Sequence, residues 1–191
     1  MAIRSRHISQ FLVATLAIVF FSLPSHAEGA DVTLFGGIQH SGKLTFQSAP
    51  GSTTNLVQNF DPKTFGVFGL RIGHGKLLGG EHTIEYAPNF IDSNSRAFIV
   101  HSNLRVQPSL SFVKPYATAG IGFIHSGGGS PTSFGSKFAF NYGGGVTLAG
   151  GPIGINMDLR GYAVPQVKVV GFTTQQRMDF IQATAGISFR F

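Results

Sequence analysis

The fold class the sequence predicts is all-β, an eight-stranded antiparallel up-and-down β-barrel of the transmembrane kind, and three observations predict it. Period-two alternation of apolar and polar residues recurs in segments of about ten residues, the length of a tilted strand that crosses a bilayer. The connections between these segments are by turns long and short. Capped windows repeating at 3.6 residues are absent, and Gly is frequent throughout, at 26 of 191 residues.

The opening segment stands apart from that pattern. Arg4 and Arg6 make a basic start, and Phe11 to Leu23 is apolar apart from Thr15 and Ser22. Pro24 ends the run, and Ser25-His26-Ala27 puts small residues three and one before a predicted cut, the order of a secretory signal peptide. The run is too short for the roughly 20 residues of a membrane-spanning helix. The chain therefore divides into a cleaved signal peptide, 1–27, and a single barrel domain, 28–191.

Without Arg4 and Arg6, the domain keeps twelve basic residues against eight acidic ones, a net charge of +4. These charges are scattered, so nucleic-acid binding has no support. There is no cysteine, hence no disulfide framework and no thiolate chemistry. An exported chain without a spanning helix is either soluble or a barrel, since a closed sheet is the other way to satisfy backbone groups in lipid.

The strands justify the barrel one by one. The first, from Val32 to about Thr45, is ambiguous because Phe35 sits among polar-side positions. Phe68, Leu70 and Ile72 alternate with Gly69, Arg71 and Gly73; Ile84 and Tyr86 with Thr83 and Glu85. Phe98, Val100, Leu104 and Val106 alternate with His101, Asn103 and Arg105. The last four strands are cleaner. Ala117, Ala119, Ile121 and Phe123 oppose Tyr116, Thr118, Gly120 and Gly122, and Phe138, Phe140, Tyr142, Val146 and Leu148 oppose Asn141, Gly143, Gly145 and Thr147. Ile153, Ile155, Met157 and Leu159 face away from Asn156, Asp158 and Arg160. Ile181 to Phe191 then alternates with Gln182 to Arg190.

Connections 47–63, 88–95, 125–136 and 161–176 are mostly long and rich in Gly, Ser, Thr, Pro and Asn, whereas 74–80, 107–114 and 149–152 are short. An up-and-down barrel with one rim outside and one in the periplasm gives this alternation; a soluble Greek-key sandwich does not. Both termini then lie on the short-turn side. Arg71, Arg105, Asp158 and Arg160 must face inward, because Arg on the lipid face at mid-depth costs about 2–4 kcal/mol.

Several stretches resemble the OmpA-like and opacity-type outer-membrane β-barrels. They are Phe35-Gly36-Gly37-Ile38-Gln39, Lys114-Pro115-Tyr116-Ala117-Thr118-Ala119-Gly120-Ile121-Gly122, Asn141-Tyr142-Gly143-Gly144-Gly145-Val146, the Asp158-Leu159-Arg160 pair and the terminal Phe. The resemblance covers nearly the whole domain and implies the fold and a place in the outer membrane of a Gram-negative bacterium. The family includes adhesins and structural proteins, so it implies little about activity. Two departures stand out. There is no Trp for the interfacial girdles, which leaves that work to Phe. There is also no C-terminal peptidoglycan-binding domain, so tethering to the cell wall is not expected.

The candidate residues follow. Arg71, Glu85, His101, Arg105, Asp158 and Arg160 share the inward faces. An eight-stranded barrel is just wide enough for side chains to fill it, so these are expected to pair as a salt-bridge network, which argues against a general porin. Phe189 and Phe191 in the alternating terminal strand resemble the outer-membrane assembly signal. His101-Ser102-Asn103 is similar to the His-x-Ser-Asn motif of lipid A deacylase barrels, but adjacent strand residues point to opposite faces, and no third group is identifiable. The Gly143-Gly144-Gly145 run precedes no helix and is not a nucleotide loop. The five histidines of the domain show no metal-ligand spacing, and no cofactor is expected. Lys63, Arg96, Lys137, Lys168 and Arg177, against Asp61 and Asp92, leave a net +3 at the long-loop rim, a basic collar for phosphorylated lipopolysaccharide. The expected partners are outer-membrane lipids, lipopolysaccharide and the assembly machinery. The expected function is a non-enzymatic barrel with surface loops; a lipid-modifying enzyme and a narrow channel are the alternatives.

Overall fold

The structure is a computed structural model that describes residues 29–42, 44–48, 57–91, 93–108, 110–128, 135–165, 168–169, 172–173 and 178–191. The predicted signal peptide lies outside the described residues. The described strands are β1 (Asp31–Ser41), β2 (Leu44–Ser48), β3 (Val57–Phe60), β4 (Thr64–Gly75), β5 (Leu78–Pro88), β6 (Arg96–Val106), β7 (Val113–Gly127), β8 (Gly135–Gly150), β9 (Ile153–Val164), β10 (Lys168–Val169), β11 (Phe172–Thr173) and β12 (Met178–Arg190).

Eight of them, β1, β4 to β9 and β12, close a barrel in which every neighbouring pair is antiparallel. β1 completes the ring by pairing β12 from Asp31↔Arg190 to Ser41↔Phe180 and β4 from Asp31↔Gly73 to His40↔Thr64. The eight-stranded up-and-down architecture is therefore as the alternation predicts. The first strand is shorter than expected. It leaves the ring after Ser41, where Gly42 N–H donates to Asp179 C=O at 2.9 Å. The chain then re-forms as β2, and β10, β11, β2 and β3 make one four-stranded sheet above the long-loop rim. The 47–63 and 161–176 segments, expected as loops, thus contain strands. They pair because their roots, β1 and β12, are neighbours in the barrel.

The short-turn rim is laced by backbone hydrogen bonds between successive turns. Gln107 N–H donates to Leu77 C=O at 2.8 Å, Ala149 to Phe112 at 2.9 Å, Arg190 to Pro152 at 2.8 Å and Phe191 to Ala30 at 3.0 Å. Gly75 (φ +93°) and Gly151 (φ +80°) supply the left-handed backbone that two of these tight turns need. Both described ends of the chain lie at this rim.

The barrel strands are 11 to 16 residues long, against the roughly 9–11 that cross a bilayer. The surplus projects at the long-loop end, and there the polarity of the two faces inverts. Through most of the ring the outward residues are apolar and exposed, among them Leu34, Ile121, Ile155, Leu159 and Ile187, while the inward ones are polar and buried. At the long-loop end the inward residues are apolar instead: Val67, Ala87, Ile99, Ile124, Val164, Met178 and Phe180 form one buried cluster. Phe90 and Ile91, from the 89–95 connection, fold in to join it. The outward positions there include His40, Thr64, Arg96, His125 and Ser136. Where the phases meet, apolar residues run consecutively, as in Val67-Phe68, Phe98-Ile99-Val100 and Phe180-Ile181. In a barrel that spans a bilayer, such an inversion falls at the depth where lipid gives way to water.

That boundary predicts a depth-dependent cost. Leu159→Arg, in the middle of the apolar belt, should lower folding stability in lipid vesicles by about 2–4 kcal/mol, and Thr64→Arg by about 0–1 kcal/mol. Urea unfolding of the two variants in parallel checks this; equal losses would place Thr64 as deep in the membrane as Leu159.

Candidate functional site

The barrel interior is the most highly organised part of the molecule. Arg160, from β9, donates Nε to Asp158 Oδ1 at 2.6 Å and Nη2 to Asp158 Oδ2 at 3.1 Å, and its Nη1 lies 2.7 Å from Glu81 Oε1. Arg71, from β4 across the lumen, meets the same two carboxylates, with Nη2 3.4 Å from Asp158 Oδ1 and Nε 3.7 Å from Glu81 Oε1. Arg71 Nη1 also donates to Asn156 Oδ1 at 3.0 Å and to the Tyr116 hydroxyl at 3.2 Å, while Tyr116 O–H donates to Asp158 Oδ2 at 2.5 Å. Two cations thus face two anions, all buried. Phe35 belongs to this interior as well: the Arg71 guanidinium lies 4.7 Å from its ring centroid. A cation over an aromatic face accounts for a phenylalanine on the polar side of β1.

A second group lies nearer the apolar cluster. Glu85 accepts from Tyr162 O–H at 3.0 Å and from Gln182 Nε2 at 2.9 Å, and its Oε1 is 3.1 Å from His101 Nε2. Arg105, which the alternation groups with the central charges, instead closes the short-turn end with Asp31, through contacts of 2.5 and 3.2 Å. Sequence reasoning misses Asp31, Glu81, Tyr116, Asn156, Tyr162 and Gln182 as members of these networks. Glu81 shares the inward parity of Thr83 and Glu85 and was legible from that signal; starting the strand at Thr83 hides it.

Inward glycines make room for these long side chains. A Cβ on Gly145 would come 2.7 Å from the Tyr116 hydroxyl, and one on Gly69 would come 2.8 Å from the Phe35 ring. Small positions on one strand thus face large ones on the next.

His101-Ser102-Asn103 splits as strand geometry requires. His101 and Asn103 are buried inside, while Ser102 faces out and lies 2.9 Å from His82 Nδ1. The outer surface does carry Ser–His pairs across neighbouring strands: beside His82–Ser102, His125 Nδ1 lies 2.9 Å from Ser136 Oγ at the long-loop rim. His82 lies between Ile72 and Ser102, and His125 between Phe98 and Ser136. A carboxylate that would orient a general-base imidazole is thus not across from either histidine. Among the described residues, no three His, Asp or Glu side chains gather as a metal set.

The collar residues do not form one group. Lys63 and Arg96 are exposed at the long-loop rim, but Lys137 belongs to β8, shares the inward parity of Ala139 and is half-buried. Lys168 has its backbone in β10, in the sheet above the rim, and Arg177 lies outside the described residues. At the other rim Phe189 and Phe191 point outward, with Phe191 81 % exposed.

No protein-family model and no curated protein matches the sequence. Solved structures do match. The chain is similar to Neisserial surface protein A at 14 % identity, covering 86 % of this chain and 100 % of that one, with a TM-score of 0.60. It is similar to the N-terminal β-barrel domain of Pseudomonas aeruginosa OprF at 14 % identity, covering 86 % and 98 %, with a TM-score of 0.53. The outer membrane enzyme PagL aligns at 12 % identity over 85 % and 99 %, with a TM-score of 0.39. The fold is that of small eight-stranded outer-membrane barrels.

Asp158 is the shared anion of the central network, so Asp158→Ala leaves Arg71 and Arg160 with a single carboxylate. The variant should lose about 3–5 kcal/mol of folding stability, read by urea unfolding in lipid vesicles. A loss below about 1 kcal/mol would mean that the network is solvated rather than sealed.

Proposed function

We propose that this chain, with the fold of the small outer-membrane barrels, is a non-enzymatic integral protein of a Gram-negative outer membrane, sealed to solutes and active through its long-loop side. One observation carries the reading: the lumen is filled twice over. The Arg71–Glu81–Asp158–Arg160 network occupies the membrane-embedded part with its charges matched. Above it the apolar cluster, with Phe90 packed edge-on against Phe180 at 5.5 Å, closes the outer end. Ion passage would have to break buried ion pairs and also wet an apolar plug, and each step is costly.

Orientation follows from the rims. The short turns face the periplasm together with both ends of the domain. The long connections, with the sheet of β2, β3, β10 and β11, face outward, where contacts with other surfaces are made. An enzymatic reading would need an oriented nucleophile, and the two outward Ser–His pairs have no acidic partner across from them. This supports a binding or structural role.

The terminal strand supports recognition by the outer-membrane assembly machinery. Ile187, Phe189 and Phe191 lie on one outward face, and β12 is the strand that closes the ring against β1.

Two measurements follow. In planar lipid bilayers the purified protein should give no conductance steps above those of protein-free membranes; reproducible steps would favour the channel instead. Phe191→Asp should lower the amount inserted in the outer membrane several-fold while export continues. Insertion at the parent level would remove the assembly role of the last residue.

A further inference from the structure

The outward face at the long-loop rim carries an arrangement that the basic collar alone does not describe. On β6, β7 and β8 the register places Phe98, His125 and Ser136 in one row. The next row toward the membrane is Val100, Phe123 and Phe138, with Phe140 two residues further down β8. Successive outward residues are about 7 Å apart along a strand, so the polar row lies one step above the rings. The rings pack as a unit: Phe123 and Phe138 are edge-to-face at 5.8 Å, and Phe138 and Phe140 at 4.9 Å. All four phenylalanines are exposed.

Arg96 stands beside the polar row. It pairs across from Gly127, and its Nε lies 3.9 Å from where a Cβ of that glycine would be. No ion pair among the described residues engages its charge. The His125–Ser136 pair has a donor to spare whichever tautomer it adopts. If Ser136 O–H donates to Nδ1, Nε2–H is free; if Nδ1–H donates to Ser136, the hydroxyl proton is free.

A histidine–hydroxyl pair recurs between β1 and β4, where His40 Nδ1 lies 3.0 Å from Thr64 Oγ1. There the row below is Ile38 and Gly66, and the rings of Phe68 and Tyr86, 5.5 Å apart, begin two rows down. Lys63 precedes Thr64 with the opposite parity, so the full set of cation, histidine–hydroxyl pair and rings stands at β6 to β8.

We propose that Arg96, His125 and Ser136 bind the phosphate of a phosphorylated outer-leaflet lipid whose acyl chains lie on Phe123, Phe138 and Phe140. This rests on the outer-membrane reading above and narrows the five-residue collar to one built site. The chemistry matches an amphiphile with a fixed anion. A guanidinium donates charge-assisted hydrogen bonds to phosphate oxygens, the histidine–hydroxyl pair adds a neutral donor, and the rings supply an apolar bed at chain depth. A soluble anion would use only the polar row, and a neutral lipid only the rings.

The test uses the mature chain refolded in detergent micelles and fluorescently labelled lipid A as the probe. One sample of the probe bears both phosphates and the other is dephosphorylated. The parent should bind the phosphorylated form about tenfold more tightly, and Arg96→Gln/His125→Ala/Ser136→Ala should remove most of that difference, chiefly at low salt. Lys76→Gln/Lys114→Gln, an equal or larger charge change at the opposite rim, should leave it unchanged. Arg96→Gln alone, a change at an exposed tip, serves if the triple variant fails to show the heat-dependent gel shift of a folded barrel. Equal binding of the two lipids by the parent, or parental binding by these variants at every salt concentration, would overturn the site. Displacement of the phosphorylated lipid by millimolar inorganic phosphate would overturn the acyl-chain part. Failure of the parent itself to insert into lipid vesicles would instead count against the membrane reading.

Discussion

Closure of the ring by β1 is the constraint on which the rest of the structure depends. A strand edge left open in hydrocarbon exposes a row of unpaired N–H and C=O groups, each costing several kcal/mol. β1 removes both edges at once by pairing β12 on one side and β4 on the other over ten or eleven positions. Once the sheet is closed with eight strands, the lumen is only side-chain wide. Every inward residue must then find its partner within that volume. The pairing of arginine with glutamate and aspartate, and the placing of glycine where Tyr116 or Phe35 needs room, both follow from that limit.

Depth is written into the strands as a change of phase. A strand that spans lipid and then enters water must exchange its apolar and polar faces, because the solvent outside has changed while the backbone period has not. Over Phe180-Ile181 the apolar side switches from inward to outward within one step, and Val67-Phe68 does the same on β4. The inversion also explains the two-storey lumen: polar where the outside is lipid, apolar where the outside is water. Small soluble barrels and membrane barrels share one backbone here and differ in which face is dry.

Much of this was legible in the sequence. The number of barrel strands, their alternation, the alternating connections and the inward placing of Arg71, His101, Asp158 and Arg160 can all be read from period-two patterning. Three things were not. Phe35 looked ambiguous because parity alone carries no information about an aromatic ring held by a guanidinium. Arg105 and Asp31 are 74 residues apart and meet only through the barrel's curvature. The extra sheet of β2, β3, β10 and β11 depends on β1 and β12 being neighbours in space, which is a property of closure and not of any local segment. Glu81 is a different case, since its parity was visible and a strand start placed at Thr83, five residues late, concealed it.

The histidines show how the missing tryptophans bear on the surface. A membrane interface favours side chains with an apolar body and a polar tip, the part that Trp and Tyr usually take. This chain has no Trp and four Tyr, and Tyr116 and Tyr162 are committed to the lumen. His40 and His125 stand at one polarity boundary, and His74 stacks on His82 at 5.8 Å toward the other. Three of these four lie across from a threonine or serine and hydrogen-bond to it. An imidazole bonded to a hydroxyl on the next strand keeps its polar edge satisfied against the sheet and still offers a donor outward, which an isolated indole does with one N–H alone. The substitution therefore changes what the rim offers: a tryptophan presents one indole N–H, whereas the His125–Ser136 pair presents a spare donor beside the Arg96 guanidinium, the combination that the proposed phosphate site requires.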